Sequence, residues 1–237
     1  MAGTGGGGGG RGIPPEAAGV AVLALHNLAV HRVLPAPADA ALNLVTAAGL
    51  TAFARQAGCS DGDLGLRVQD AGRGLLAGLG AGAAAAGAVA LGVALPATRH
   101  RFRDQRLAAD GRALATYHAA VRIPLATALA EELLFRGALL ALLRRRRSTA
   151  AAVAASSLLF AAWHVLPAID RHRAGPGADS RRGRLASVLG SMLSTGAAGY
   201  GFAWLRLRSR SLVAPVLAHA AVNASAYLAG RALARRP

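Results

Sequence analysis

Seven apolar runs divide the chain, at residues 17–34, 40–54, 74–95, 119–143, 149–169, 185–205 and 211–230. Six of them reach the roughly 18 to 25 residues that an α-helix needs to cross about 30 Å of hydrocarbon. The second run is shorter and reaches that length only by borrowing flanking residues such as Arg55 and Gln56, whose polar ends snorkel toward water. The pattern predicts an all-α, polytopic transmembrane helix bundle of six to eight spans.

Polar segments between the runs set the organisation. Residues 1–16 are a Gly-rich leader, expected to be disordered, and their sparse charge and long following apolar run do not read as a signal peptide. Residues 17–118 hold N-terminal membrane helices and connectors, residues 119–232 the remaining helices of the same domain, and residues 233–237 a short basic tail. An interfacial helix is expected to start near Asp63 within connector 55–73, and a surface helix is expected over 96–118. The Gly-Pro-Gly within 168–184 reads as a loop. Gly74, Gly78 and Gly82 form a small-residue face for close helix packing, assigned to the protein's own bundle ahead of a dimer contact.

Composition alone gives a conflicting picture. The chain has 237 residues, 54% hydrophobic, yet its formal net charge is +16. Placement resolves the conflict. There is no lysine, and of the 27 arginines only Arg32, Arg122 and Arg136 fall inside the apolar runs. The others punctuate blocks of membrane length, as loop arginines beside lipid headgroups do. A nucleic-acid binder would instead carry them as a stripe along amphipathic helices, so no nucleic-acid partner is expected. The partner this placement implies is the lipid bilayer. Oligomeric state and membrane orientation stay open, because the arginines divide almost evenly between the two sides. A single cysteine, Cys59, excludes a disulfide framework.

The charges that do lie within the runs are the informative ones. Arg32 and Arg122 sit near run ends and can snorkel, but Glu131, Glu132 and Arg136 occupy the middle of a 25-residue run. Each such charge costs about 2.5 to 3.5 kcal/mol on insertion scales, so it persists when paired or required by function. Glu132 and Arg136 are i,i+4 neighbours in the favourable order and are expected to pair. Glu131 is turned about 100° away and has no partner on its own helix, which suits a general base. A purely structural ion-pair cluster of all three is the alternative.

Other polar residues join them. His219 and Asn223 share one face of the seventh run, and His164 lies four residues after Phe160 in the fifth. Buried polar groups must find partners in lipid, and one shared central site is the simplest solution. His26, Asn27 and His31 are candidates for a second polar patch, but they lack a carboxylate partner, so ordinary helix contacts are the expected role.

These residues also carry a resemblance. Glu131-Glu132-Leu133-Leu134-Phe135-Arg136 resembles the EExxxR motif of the CAAX-protease and bacteriocin-processing family of intramembrane proteases. Phe160 to His164 is similar to that family's FxxxH motif, and His219 to Asn223 to its HxxxN motif; the stretch from Gly199 to Pro215 also resembles the lead-in to the third motif. The likeness covers about residues 119 to 228. It implies motif helices around an intramembrane cavity and peptide-bond hydrolysis there, with a peptide or membrane-protein substrate as partner. By position, Glu131 with His164 would activate water, His219 and Asn223 would stabilise the oxyanion, and Glu132 with Arg136 would support the site.

The resemblance leaves the metal question open. No cofactor is certain; Glu131, His164 and His219 would be the ligands of a divalent metal such as zinc, yet HExxH spacing is absent, and a metal-free glutamate mechanism uses the same side chains. Two other classes of function compete. One is a non-catalytic membrane binding or immunity protein on the same fold. The other is a proton-coupled transporter using the buried Glu and His as a relay. All-arginine usage with Ala and Gly richness points to a GC-rich, bacterial coding sequence, hence to the bacterial cytoplasmic membrane.

Overall fold

The computed structural model describes residues 12–34, 38–175 and 178–235. The expected disorder of the leader falls mostly on residues 1–11, outside the described residues. So do Pro176 and Gly177 of the expected loop and the last two residues of the tail.

Among the described residues the secondary structure is entirely helical. Helix α1 (Pro15–Leu28) opens on a proline at its first turn, where the missing N–H costs nothing, and runs into a wider π-type turn at Ala29–Val33. Helix α2 (Asp39–Gln56) follows, then a one-turn helix α3 (Asp61–Leu64). The sequence places an interfacial helix near Asp63; it begins two residues earlier because Ser60 and Asp63 form a capping box. Helix α4 (Ala71–Ala94) spans 24 residues.

The expected surface helix over 96–118 is not formed. In its place stand a four-residue helix α5 (Pro96–Arg99) and two 3₁₀ turns, His100–Phe102 and Gln105–Ala109. Local capping breaks the segment: Arg99 donates to the last carbonyls of α4, at Val93 and Ala94, and the Asp104 side chain accepts from the Arg106 N–H. The next helix therefore starts only at Arg112.

Helix α6 (residues 112–144) is continuous, with wide π-type turns at His118–Leu129 and Leu133–Leu139 on either side of Ala130–Glu132. Pro124 lies within the first of these stretches, where an α-helical register would lose a hydrogen bond. Helices α7 (Thr149–Trp163) and α8 (Val165–Arg173) meet at His164. Helix α9 (Arg181–Ser209) ends at Arg210, which has φ of 60° and turns the chain into α10 (Val213–Ala234).

The segments Asp61–Ala94, Thr149–Arg173 and Val213–Ala234 are long and apolar enough to cross a membrane. The remaining runs are helical too, but α1 is short, α6 carries buried charge, and α9 has arginines at both ends. Large apolar side chains cover the outside of the bundle: Leu76 on α4 and Leu193 on α9 are each 75% exposed. That outward apolar surface suits lipid.

The second half of α6 is the centre of the bundle, with Leu134, Phe135, Leu139, Leu140 and Leu142 fully buried. Helix α10 packs antiparallel on α6, with Leu212 near Gly137 and Tyr227 near His118, and α4 runs parallel to α10, joined to it by the glycine face. A Cβ on Gly78 would come within 3.0 Å of the Ala214 backbone, and one on Gly82 within 3.2 Å of the Ala221 Cβ. The small-residue stripe thus packs within the bundle, and it brings α10 close enough for His219 to reach α6.

Candidate functional site

Helix α6 delivers Glu131, Glu132 and Arg136 to the core. Glu132 and Arg136 are fully excluded from solvent, and Arg136 Nη1 donates to Glu132 Oε1 at 3.0 Å. The guanidinium carbon lies 4.0 Å from the centre of the Phe160 ring and 5.3 Å from that of Phe202. Aromatic faces thus solvate the part of the cation that the carboxylate does not.

From α10, His219 reaches between the two glutamates. Its Nδ1 lies 2.9 Å from Glu132 Oε1, and its Nε2 lies 3.8 Å from Glu131 Oε2. A carboxylate paired with Arg136 is ionised and only accepts, so the His219 Nδ1 carries a hydrogen. The ring is stacked on Phe202 at 5.0 Å and meets Phe160 edge-on at 6.0 Å. Glu131 Oε2 has no hydrogen-bond partner among the described residues. Glu132 is the glutamate bonded to Arg136, as the i,i+4 spacing predicts, although its Oε2, like that of Glu131, has no hydrogen-bond partner among the described residues.

His164 occupies the junction of α7 and α8. Its Nδ1 is 2.8 Å from the Phe160 carbonyl, and the two rings are 4.6 Å apart. A carbonyl oxygen only accepts, so Nδ1 is the donor, and the neutral ring keeps its lone pair on Nε2. His164 is within electrostatic range of Glu131, His219 and Arg136.

His164 and Asn223 line one cavity of about 760 Å³, together with Ser187, Ser191, Ser194 and Thr195 of α9. Glu131 and His219 are not among its lining residues; they form the adjacent buried cluster, one helical turn before Asn223 on α10 in the case of His219. Phe160 touches both groups. Sequence reasoning did not single out the hydroxyl-bearing face of α9. Its signal was available as Ser187, Ser191 and Ser194 at helical spacing in an otherwise apolar run.

The second polar patch differs from expectation. His31 Nδ1 lies 3.3 Å from Asp170, and Arg32 donates to the same carboxylate at 3.1 Å. The partner went unseen because Asp170 lies one residue beyond the fifth apolar run and meets α1 only through the tertiary fold. His26 bonds Asn43 and Thr46 of α2 and stacks on Trp163 at 5.2 Å, while Asn27 donates to the Trp163 carbonyl. Arg122 does not snorkel freely but pairs with Asp39.

Among the described residues no three His, Cys, Asp or Glu side chains are gathered as a metal ion would need. His219 has Nδ1 committed to Glu132, and His164 has Nδ1 committed to a backbone carbonyl. That anchoring leaves Nε2 of both rings open, the arrangement a metal-binding imidazole uses.

Residues 114–225 match the family model described as type II CAAX prenyl endopeptidase Rce1-like. The matched stretch runs from the start of α6 into α10 and contains Glu131, Arg136, His164, His219 and Asn223. No curated protein matches the chain, and no solved structure matches it.

Proposed function

Since residues 114–225 match the model of the Rce1-like family of type II CAAX prenyl endopeptidases, we propose that the chain hydrolyses peptide bonds at the junction of the buried glutamate cluster and the His164–Asn223 cavity. The substrate is a peptide or membrane-protein segment that enters from the bilayer. The observation that carries this reading is the His219 ring held between Glu132 and Glu131, with Glu131 Oε2 left without a partner beside it.

Each residue then has a distinct task. Water in the cavity loses a proton to Glu131, aided by the free Nε2 lone pair of His164, and its oxygen attacks the carbonyl carbon. The carbonyl electron pair moves to oxygen, and the resulting charge is met by the Asn223 amide N–H and, when Nε2 also carries a proton, by the His219 imidazole. Collapse breaks the C–N bond, and the captured proton passes to the departing amine. Arg136 and Glu132 set the orientation of His219 and take no proton. Every step uses residues of the chain alone.

The test uses full-length protein in proteoliposomes, with cleavage of membrane-fraction peptides read by mass spectrometry. Glu131→Gln and His164→Ala are each expected to slow cleavage by about 10²-fold or more, the usual contribution of a general base. Both variants cleaving at the wild-type rate would overturn the assignment.

A further inference from the structure

A second cavity, of about 680 Å³, opens at the end of the bundle where α4, α8 and α10 finish and α6 begins. It is lined by the 100–107 connector, by Arg171 at the end of α8, and by Tyr227 near the end of α10. Its wall holds four arginines, Arg101, Arg103, Arg106 and Arg171, against one carboxylate, Asp104. Arg106 is already bound to Asp104, at 2.6 Å, and that pairing holds the Asp104 carboxyl below the usual aspartate range.

The nearby acids are also committed elsewhere. Asp110 accepts from the Tyr227 hydroxyl at 2.6 Å, and Asp170 is held by His31 and Arg32. Three other arginines at this end are spent on backbone: Arg99 on the carbonyls closing α4, Arg231 on that of Asp110, and Arg235 on those of Ala108 and Asp110. The Arg101, Arg103 and Arg171 side chains have no hydrogen-bond or ion-pair partner among the described residues. Three unbalanced cations around one cavity repel one another and call for an anion with several acceptor oxygens. Guanidinium forks match phosphate oxygens in pairs.

The position says what carries the phosphate. The cavity lies at the ends of helices whose outer faces are apolar and suited to lipid. Phe102 and Leu107 add apolar surface beside the cations. A ligand with a phosphate head and apolar tails satisfies both. We infer that this cavity is a binding site for a phosphate anion and that its occupant is the headgroup of an anionic phospholipid from the surrounding leaflet. Because Arg101 and Arg171 also line the cavity holding His164 and Asn223, the bound lipid borders the substrate space.

The experiment is native mass spectrometry of the full chain released from nanodiscs of phosphatidylcholine with and without phosphatidylglycerol. Wild type is expected to retain phosphatidylglycerol selectively, and Arg101→Ala/Arg103→Ala/Arg171→Ala to lose that selectivity. Removal of one arginine, as in Arg103→Ala, is expected to weaken retention about fivefold. That single variant carries the test if the triple variant fails to show a cooperative thermal transition. Arg147→Ala, in the exposed loop between α6 and α7, is expected to behave as wild type.

Equal retention by wild type and Arg103→Ala, or equal loss in Arg147→Ala, would overturn the site. In nanodiscs of phosphatidylcholine alone, inorganic phosphate raising thermal stability as far as phosphatidylglycerol does would overturn the lipid assignment in favour of a soluble anion. None of these readouts depends on peptide cleavage, so the inference stands or falls apart from the catalytic reading.

Discussion

Glu132 accepts two hydrogen bonds on one oxygen, from Arg136 on its own helix and from His219 on α10. The carboxylate therefore fixes both the charge balance of the core and the orientation of the imidazole. Removing Arg136 leaves a buried anion without its counter-ion, which typically costs about 3 to 5 kcal/mol. Arg136→Met is expected to lower thermal stability by that order in nanodiscs. Glu132→Gln/Arg136→Met is expected to be more stable than Arg136→Met alone, because the neutral Gln oxygen still accepts from His219. Thermal unfolding of the four proteins as a double-mutant cycle measures the coupling, and strict additivity would show none.

The glycine face of α4 makes a sharply position-dependent prediction. Gly78 faces the Ala214 backbone, which cannot yield as a flexible side chain would, whereas Gly80 has nothing within 4 Å of its absent Cβ. Gly78→Val is expected to cost about 1 to 3 kcal/mol by pushing α10 away. It should also reduce activity, because His219 moves with that helix. Gly80→Ala is expected to be neutral or slightly stabilising, since alanine favours helix. Unfolding transitions and cleavage rates of the two variants check this, and equal behaviour would contradict the packing.

The α3 capping box sets where the segment leading into α4 starts. The Ser60 backbone N–H and hydroxyl both donate to Asp63, and the Asp63 N–H donates back to the Ser60 hydroxyl. Ser60→Ala is expected to cost about 0.5 to 2 kcal/mol, the usual loss for a helix cap. Thermal unfolding in nanodiscs reads this directly, and a Ser60→Ala protein as stable as wild type would mean that the cap contributes nothing.

Much of this was legible along the chain. Apolar periodicity and arginine placement were enough for an all-α membrane bundle. The i,i+4 spacings were enough for the Glu132–Arg136 pair and for the His164 contact with Phe160. These are properties of helix geometry, which repeats every few residues and so appears locally in sequence. The Arg-rich 96–118 connector was misread as a surface helix, because side-chain caps at Arg99 and Asp104 compete with helix formation at a range that composition does not register.

What the sequence by itself determined is that three ionisable residues lie where lipid should be and that histidines on two other helices must answer them. The cost of burying charge makes that conclusion local and strong. Only the tertiary structure decided which groups meet. His219 stands between the two glutamates because glycines 74, 78 and 82 draw α10 against α4. His164 and Asn223 line a cavity beside that cluster, with Phe160 touching both. Asp170 neutralises the His31 and Arg32 that it meets across the fold, while Arg101, Arg103 and Arg171 are left facing a cavity unpaired. Contacts between helices depend on crossing positions fixed by packing, and no periodicity in a single strand of sequence records them.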